Sequence, residues 1–449
     1  MPLTGIEIFK LLPKTNCGRC GVPTCLAFAM SLAAGKAELA ACPAISDEAR
    51  LKLEEASAPP IRPIVIGTGP RAIKIGGETV LFRHEKRFEN PPGFAMLISD
   101  AMPTAEIISR IERFNSFTYE RVGFKLRPEM LALKCDSGNA NTYTNLINEA
   151  LSKSDAGLIL MCEDPGIMAV VVGAAADRKP LLYAATEANA DQMAAIAKQY
   201  RLPLAARASG LNELAALTDK LARLGLKDIV LDTGARKLKQ AFTDQVMLRR
   251  LAIQSKFRSL GFPTIIPAHE MGDDPLAEAM IAGVFVAKYG GIIIMSDFQG
   301  ETLFPLLVLR LNLYSDPQRP LATAEGIYEI NAPDENAPVL VTSNFSLTYF
   351  IVSGEIENSR VPSYLLVKDT EGLSVMTAWA AGKFGADNIA SLVKKCGIAD
   401  RIKHRNLIIP GYLAAESGTL EEELPGWRVA VGPREGAHIP PFLKSWQVK

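Results

Sequence analysis

Short apolar strands alternate with amphipathic helical stretches across the middle of the sequence, and this alternation constrains the fold more than any other feature. Eight strands are predicted, at residues 94–98, 130–135, 157–162, 180–184, 203–206, 228–231, 263–266 and 291–295. Helical stretches between and after them include residues 104–114, 190–200, 211–224, 274–288 and 302–313. Eight strand–helix units are the number that closes a (β/α)8 TIM barrel. We therefore expect a TIM barrel over residues 93–320.

Acidic and polar residues follow many of these strands. They are Ser99, Asp100, Asp136, Glu163, Asp164, Glu187, Asp232, Thr233, His269, Glu270, Ser296 and Asp297. One interpretation is a polar ligand site, because barrel enzymes carry their chemistry at the carboxyl ends of the strands. The other is that short polar residues cap the helices that follow the strands. No catalytic spacing links the residues, so the sequence does not decide between the two.

The pattern changes after residue 320 to a smaller α/β domain, residues 321–449. Strands are predicted at residues 338–342, 363–367, 406–409 and 427–431, and helices at residues 346–357, 372–383, 388–395 and 415–422. This order predicts a doubly wound, flavodoxin-like (Rossmann-like) sheet. Ligands of such sheets bind beyond the carboxyl ends of the strands.

The loops at those carboxyl ends are rich in glycine and short polar residues, so backbone N–H groups can approach a large ligand. The candidate binding residues are Thr342, Ser343, Asn344, Ser346, Thr370, Glu371, Gly372, Leu373, Ser374, Gly411, Pro433, Arg434, Glu435 and Gly436. An ordinary turn explains each loop on its own. Four such loops on one rim favour a ligand site.

Four cysteines near the amino terminus, Cys17, Cys20, Cys25 and Cys42, follow the pattern C-x2-C-x4-C-x16-C-P. A compact triplet, a distant fourth thiol and a following proline are typical of a [4Fe-4S] cluster, whose irons take one thiolate each. Structural zinc also accepts four cysteines and stays the rival, although zinc ribbons usually pair two short knuckles. Residues 1–58 are thus expected to form a cluster domain.

Residues 59–92 are expected to form a linker and a small β-structure. The linker begins in Ser57-Ala58-Pro59-Pro60, which would let the cluster domain swing. The β-structure is predicted from apolar residues 64–66 and 79–82 on either side of the Gly76-Gly77 turn.

Three further cysteines, Cys135, Cys162 and Cys396, lie in or beside apolar segments. Four of seven cysteines at one site indicate metal binding in a reducing compartment, not a disulfide framework. The other three are therefore expected to be buried, unreactive thiols.

The charge balance limits the class of partner. Lys plus Arg number 49 and Asp plus Glu number 49, with no run of five like charges. We expect neither nucleic acid nor a membrane as a partner. The sequence has no signal-peptide pattern and no apolar run of spanning length, so we expect a cytoplasmic protein.

In its motifs and domain order the sequence resembles the large (gamma) subunits of corrinoid iron-sulfur proteins of the reductive acetyl-CoA pathway. The resemblance covers the whole chain. It rests on Asn16-Cys17-Gly-x-Cys20-Gly-x-Pro-Thr24-Cys25 with Cys42-Pro43, followed by the barrel and the small α/β domain. It also rests on the stretches KDTEGLS at 368–374 and TAWAAGKF at 377–384.

The resemblance implies a cobalamin-type corrinoid at the carboxyl-terminal domain, held against a small (delta) subunit in a heterodimer. It implies that cobalt(I) accepts a methyl group from methyltetrahydrofolate through a separate methyltransferase and passes it to the nickel centre of acetyl-CoA synthase/CO dehydrogenase. The cluster would return cobalt(II) to cobalt(I) with electrons from a separate donor. Such a protein is the methyl-transferring component of a multi-protein system, and none of its side chains is catalytic.

The lower face of the cobalt offers a check. Many corrinoid proteins ligate cobalt with the histidine of D-x-H-x-x-G, and this sequence lacks that motif. Cobalt(I) needs no axial ligand, so the absence suits a low-potential carrier. Two alternatives stay open: a barrel methyltransferase that binds a pterin in its acidic mouth, and an electron-transfer subunit without a corrinoid.

Overall fold

The computed structural model describes residues 4–33, 37, 39–46, 49–50, 53, 59–318 and 320–447. The chain forms two compact units. The first contains Met1–Leu81, Glu89–Thr118 and Arg127–Leu311, and the second contains Phe82–Phe88, Tyr119–Leu126 and Asn312–Lys449. Within the described residues, no helix is long and apolar enough to cross a membrane. Ser57 and Ala58 of the predicted linker lie outside the described residues.

The cysteine-rich module of the first unit contains helices α1 (Gly5–Leu11) and α2 (Cys25–Ala33). Helix α1 begins with the capping box that Thr4 and Glu7 form, in which each side chain satisfies a backbone N–H at the helix start. The two helices enclose a small core that includes Ile8 and Phe28. A core of this size is small for independent folding, so a bound metal would add stability to the module.

A two-stranded antiparallel hairpin, β1 (Ile64–Ile66) and β2 (Ile73–Ile75), precedes the barrel. The prediction of a strand at residues 79–82 is wrong, because those residues do not pair with another strand. The chain turns earlier than predicted, at Gly67 and Gly69, whose φ angles of +83° and +66° favour glycine. The hairpin isoleucines pack into the apolar cluster that fills the barrel interior.

Eight parallel strands form the main sheet of the first unit, as the alternation predicts. They are β3 (Gly93–Ser99), β6 (Met130–Lys134), β7 (Gly157–Met161), β8 (Leu181–Ala185), β9 (Leu204–Arg207), β10 (Ile229–Asp232), β11 (Ile265–Pro267) and β12 (Ile292–Met295). The strand order is β10-β9-β8-β7-β6-β3-β12-β11. A bridge between Leu231 and Thr264 joins the two ends, so the sheet is a nearly closed barrel.

The helices of the barrel lie between these strands. They are α3 (Thr104–Ser116), α4 (Ala140–Lys153), α5 (Pro165–Ala175), α6 (Ala190–Tyr200), α7 (Leu211–Arg223), α8 (Leu238–Ile253), α9 (Pro275–Ala287) and α10 (Gly300–Leu313). The hairpin β4 (Tyr119–Arg121) and β5 (Phe124–Leu126), which follows α3 in the chain, belongs to the second unit.

The second unit is built on a five-stranded sheet: β13 (Gly326–Ile330), β14 (Val339–Ser343), β15 (Ser363–Lys368), β16 (Asn406–Ile409) and β17 (Arg428–Val431). The order is β13-β15-β14-β16-β17, with β13 antiparallel to β15 and the other neighbours parallel. Across the sheet the parallel strands follow the order β15-β14-β16-β17, so the chain winds outwards in both directions from β14, as in a doubly wound sheet.

Helices cover both faces of this sheet. They are α11 (Ser346–Ser359), α12 (Val375–Ala380), α13 (Ala386–Lys395), α14 (Ser417–Glu423) and α15 (Ile439–Lys444). One apolar cluster joins the sheet to α13 and α14, and a second joins its other face to α11 and α15. The loops after β14, β15, β16 and β17 consequently share one edge of the sheet.

Candidate functional site

Two regions contain the predicted site residues, the cysteine-rich module and the carboxyl edge of the second unit's sheet. In the module, the loop before α2 is shaped by Asn16, whose side-chain oxygen accepts a hydrogen bond from the Cys25 backbone N–H at 2.8 Å. The Asn16 backbone N–H approaches the Cys25 Sγ at 3.4 Å. Gly18 and Gly21 have φ angles of +68° and +85°, so a residue with a Cβ would strain the turn.

The four predicted ligands differ in exposure. Cys25 and Cys42 are buried in the core of the module, Cys20 is half-buried against it, and Cys17 is exposed. Hydrogen bonds from the Arg19 backbone and the Thr15 side chain lower the pKa of the Cys17 thiol. A lowered pKa favours the thiolate, which is the form that binds metal.

In the described part of the chain, no group of three or more His, Cys, Asp or Glu side chains is arranged to hold a metal ion. Cys25 and Cys42 share one core and Cys20 packs against it, but the four thiols do not converge into a metal site. Protonated cysteines pack as small apolar side chains, and a metal is what draws such ligands together. The donor set itself, four thiols within residues 17–42, fits an iron-sulfur cluster.

At the carboxyl edge of the second unit's sheet, Asn344 joins the loops after β14 and β15. Its side-chain oxygen accepts hydrogen bonds from the Thr370 N–H at 3.0 Å, the Thr370 hydroxyl at 2.9 Å and the Gly372 N–H at 2.9 Å. Its amide nitrogen donates to Asp369 at 2.8 Å. Asn344 and Thr370 are buried and committed to each other, so they set the loop shape.

The loops after β16 and β17 meet at Gly411. A Cβ on Gly411 would lie 2.6 Å from the Gly432 carbonyl oxygen and 2.8 Å from the Arg434 nitrogen, so only glycine allows this approach. The Tyr412 hydroxyl donates to Glu435 at 2.9 Å, and the Arg434 guanidinium lies over the Tyr412 ring. The two loops therefore form one wall.

A cavity of about 340 Å³ opens between these loops, the sheet and α11. Six predicted residues line it: Thr342, Ser374, Pro433, Arg434, Glu435 and Gly436. The other predicted residues, Ser343, Asn344, Ser346, Thr370, Glu371, Gly372, Leu373 and Gly411, support the surrounding loops without lining the cavity. The cavity is also lined by Pro410, Tyr412 and Gly432, which lie in the predicted rim loops but were not candidate residues. Sequence reasoning missed a further set that lines it: Leu340, Val341, Thr348, Ile351, Val352, Val375, Met376, Ile408, Ile409 and Ile439.

Most of the missed residues are apolar, and they come from strand interiors and helices. The signal for them was in the sequence, since Ile351 and Val352 lie in the helix that follows the strand of Thr342. Apolar residues in such a helix are ordinarily assigned to the core. Ile351 is instead 49% exposed, and two other lining residues, Met376 and Tyr412, are 42% and 46% exposed. Exposed apolar side chains around a cavity mark a ligand or partner surface.

Two hydroxyls at the end of β14 are buried without a hydrogen-bond partner among the described residues. They are Thr342 Oγ1 and Ser343 Oγ, and the residues are 1% and 0% exposed. An unpaired buried hydroxyl costs about 1–3 kcal/mol. Thr342 is also one of the residues that line the cavity, so an unpaired hydroxyl belongs to the cavity wall. The cavity therefore offers apolar walls together with polar groups, a lining suited to a ligand that carries both kinds of surface.

At the barrel mouth, the predicted acidic ring is largely paired within the chain. Asp100 accepts hydrogen bonds from the Asp136 and Ser137 backbone N–H groups at 2.8 and 2.9 Å. Asp136 accepts one from the Ser99 hydroxyl at 2.6 Å. Asp164 caps α5 through the Gly166 N–H at 2.7 Å. Asp164 is thus a helix cap, as the second interpretation expects. Asp100 and Asp136 instead join the loops after β3 and β6.

Asp232, the most buried acid of the ring, is also fully engaged. Its two oxygens accept from both terminal nitrogens of Arg236 at 3.0 and 2.9 Å, from the Tyr183 hydroxyl at 2.6 Å and from the Gly234 N–H at 2.9 Å. Glu163 likewise pairs with Arg207 at 2.6 Å. A pterin would need free carboxylates here, so these contacts weaken the barrel-methyltransferase alternative.

Comparisons with known proteins fit this arrangement. A family profile described as "CO dehydrogenase/acetyl-CoA synthase delta subunit" matches residues 63–443, and one described as "Putative Fe-S cluster" matches residues 12–44. The corrinoid/iron-sulfur protein large subunit of Moorella thermoacetica is 46% identical over 445 residues, covering 99% of each chain. The acetyl-CoA decarbonylase/synthase complex subunit gamma of Methanothermobacter thermautotrophicus is 36% identical over 454 residues, also covering 99% of each.

Among solved structures, dihydropteroate synthase from Thermus thermophilus aligns with a TM-score of 0.39 at 14% identity. That alignment covers 57% of this chain and 100% of the other. A likeness this weak has no bearing on function.

Proposed function

This chain belongs to the CO dehydrogenase/acetyl-CoA synthase delta subunit family, and from that premise we propose that it carries methyl groups on a bound corrinoid. Its full-length relatives include a corrinoid/iron-sulfur large subunit and complex gamma subunits. The methyl group comes from methyltetrahydrofolate through a separate methyltransferase. It leaves to the nickel centre of acetyl-CoA synthase.

The observation that carries the proposal is the cavity at the carboxyl edge of the second unit's sheet. Its lining is mainly apolar, several of its apolar side chains are partly exposed, and it includes Thr342, whose hydroxyl has no hydrogen-bond partner among the described residues. When bound there, a corrinoid supplies a cobalt centre that accepts and releases methyl groups. Thr342 would hydrogen-bond a polar group on the corrinoid, while Ile351 and Met376 would contact its apolar atoms and keep water from them.

The lining also suits a cobalt centre that has no histidine ligand from the protein. Within the described residues, none of the side chains that line the cavity is a histidine. His404 is engaged elsewhere, because its Nε2 contacts the Ala337 carbonyl at 3.0 Å and its Nδ1 accepts from the Asn406 N–H at 3.1 Å. An imidazole ligand would stabilise oxidised cobalt, so its absence from the lining supports a carrier that works in the reduced state.

The exposed rim supports a partner over the cavity. Three large apolar side chains that line the cavity, Ile351, Met376 and Tyr412, are 42–49% exposed. A folded protein rarely leaves such a group uncovered. We assign the covering partner as a small (delta) subunit in a heterodimer, with the methyltransferase and acetyl-CoA synthase as transient partners.

The second part of the proposal concerns the cysteine-rich module. Cys17, Cys20, Cys25 and Cys42 would hold a [4Fe-4S] cluster that passes electrons from a separate donor to inactive cobalt(II). The module offers four thiols and no competing acidic or histidine ligand set among the residues described. Methyl transfer itself would not need the cluster.

The substitution Thr342→Val tests the corrinoid site, because valine has nearly the same shape as threonine without the hydroxyl. The chain without corrinoid should become more stable by about 1 kcal/mol, since an unpaired buried hydroxyl is removed. Corrinoid affinity should fall about tenfold, which corresponds to one lost hydrogen bond. Both are measured on the chain with its partner subunit, by thermal unfolding and by corrinoid titration.

Two control substitutions show whether the effect comes from the Thr342 hydroxyl. Thr342→Ser keeps the hydroxyl and should keep the affinity. Thr302→Val removes a buried hydroxyl that donates to the Gln299 carbonyl at 3.2 Å, so it should lower stability and leave corrinoid affinity unchanged. Unchanged corrinoid affinity in Thr342→Val would count against the site.

The alternatives predict different measurements. A pterin-binding barrel methyltransferase would bind methyltetrahydrofolate without its partners, whereas we expect no binding to the isolated chain. An electron-transfer subunit would contain iron and no corrinoid, whereas we expect cobalt in the complex.

A further inference from the structure

Cys135 and Cys162 are neighbours across two adjacent barrel strands. The parallel pairing of β6 with β7 aligns Lys134 with Met161, so the next residue of each strand is a cysteine. The ladder continues through that position, because the Cys135 N–H donates to the Met161 carbonyl at 2.9 Å. Each thiol also contributes to the pKa shift of the other, as expected for neighbouring side chains.

Both side chains point to the same face of the sheet. Ala132 of β6 and Ile159 and Met161 of β7 face the barrel interior. Since side chains alternate along a strand, Cys135 and Cys162 point outwards, towards the helices. Tyr143 of α4 lies beside them there, with its hydroxyl donating to the Leu133 carbonyl at 2.7 Å.

This geometry allows the two thiols to form a disulfide bond. Neighbouring strands lie about 4.8 Å apart, and disulfides join Cα atoms about 4.4–6.8 Å apart. We propose that Cys135 and Cys162 form a redox-active pair that reacts with small-molecule disulfides to give a reversible intramolecular disulfide. The three cysteines outside the module are therefore not equivalent, and this pair departs from the expectation of unreactive thiols.

The reaction proceeds in two exchange steps. The Cys135 thiolate, on the more exposed of the two residues, attacks a small disulfide RSSR and releases one RS⁻. The Cys162 thiolate then attacks Cys135 Sγ and releases the second RS⁻. Two protein thiols are oxidised to one disulfide and RSSR is reduced to two RSH, so atoms and electrons balance. The new bond ties the ends of β6 and β7.

The environment makes the pair slow to react. Burial raises the pKa of Cys162 to about 12 and also raises that of Cys135, so both are protonated near neutral pH. Slow exchange keeps the pair in the dithiol form while small disulfides are scarce, and the pair closes when they accumulate.

The test treats the full-length chain, anaerobically and with its partner subunit, with 4,4′-dithiodipyridine until Cys396 has reacted. Cys396 is half-buried, like Cys135, and its pKa is raised by burial, so it reports that the reagent reaches such thiols. Trypsin places the three cysteines in separate peptides, residues 135–153, 154–178 and 396–401. We expect peptides 135–153 and 154–178 to be joined by a disulfide, two hydrogens lighter than their sum.

Two variants complete the experiment. In Cys162→Ser the joined peptides should disappear, and Cys135 should retain the thiopyridine adduct. Cys396→Ser, with reagent exposure matched to the wild type, should still give the joined peptides. The proposal is overturned if wild-type Cys135 and Cys162 carry separate adducts, or stay as free thiols, once Cys396 has fully reacted.

Discussion

Asn344 shows how much of the proposed site depends on one side chain. A single amide oxygen accepts three hydrogen bonds from the loop after β15, and the amide nitrogen fixes Asp369 in the same loop. Glu371 and Gly372 of that loop have φ angles of +58° and +76°, conformations that need support from neighbours. Asn344 thus positions the loop that carries Ser374 to the cavity.

Replacing Asn344 by Ala should release this loop. Two buried backbone N–H groups lose their acceptor, which costs about 3 kcal/mol of local stability. Amide hydrogen exchange of residues 368–374 should then accelerate about a hundredfold. The exposed Asn336→Ala serves as control and should leave exchange there unchanged. Equal exchange in the two variants would show that the loop is held by other contacts.

At the scale of elements, the site depends on the close approach of the loops after β16 and β17. Gly411 makes it possible, since its missing Cβ leaves room for the Gly432 carbonyl. The Gly411 N–H also donates to the Pro433 carbonyl at 3.1 Å. A side chain at this position would push the two loops apart and so change the shape of the cavity wall that they form.

Gly411→Ala should therefore weaken corrinoid binding about tenfold or more and lower stability by about 1–3 kcal/mol, through overpacking against backbone. Gly418→Ala is the matched control, because a Cβ there meets nothing within 4 Å and the residue lies in α14. That substitution should stabilise the helix by up to about 1 kcal/mol without affecting binding. Similar binding losses in both variants would contradict the role given to Gly411.

The elements that the sequence predicts well are those with a strong periodic signal. All eight barrel strands and the four parallel strands of the second unit occur where apolar runs predict them. The missed elements include β2, β13, the hairpin β4–β5 and the short α15. Strands β4 and β5 have three residues each and are mostly exposed, so they carry no alternation, and α15 has only six residues.

The candidate site was only partly predictable for a related reason. Loop residues such as Arg434 are marked by their position after a strand, and the structure brings them to the cavity. Residues such as Val352 and Ile439 reach the same cavity from helices, where an apolar residue has the same sequence signature as a core residue. Only the tertiary packing of α11 and α15 against the sheet distinguishes the two.

At the scale of the whole molecule, the two proposed cofactors belong to different compact units of one chain. The cysteine-rich module lies in the first unit and the cavity of Thr342 in the second. Their chemistry is then separable: one site supplies electrons for repair, and the other carries the methyl group.

The substitution Cys20→Ala should separate reductive repair from methyl transfer. Loss of one thiolate should remove the cluster and abolish reductive reactivation of cobalt(II), because each iron needs its own thiolate. Methyl transfer by cobalt that is already reduced should be unchanged, and Cys396→Ala should affect neither activity. If cobalt(II) were still reactivated at the wild-type rate without the cluster, the role proposed for the module would be wrong.

The central claim, that one chain serves both an iron-sulfur cluster and a corrinoid, is tested most directly by metal analysis. Iron, acid-labile sulfide, zinc and cobalt are measured anaerobically, with an absorption spectrum, on the chain alone and with its partner subunit. We predict about four irons and four sulfides per chain in both samples, with about one cobalt per chain in the complex. Zinc without iron, or a complex that contains iron and no cobalt, would contradict the account.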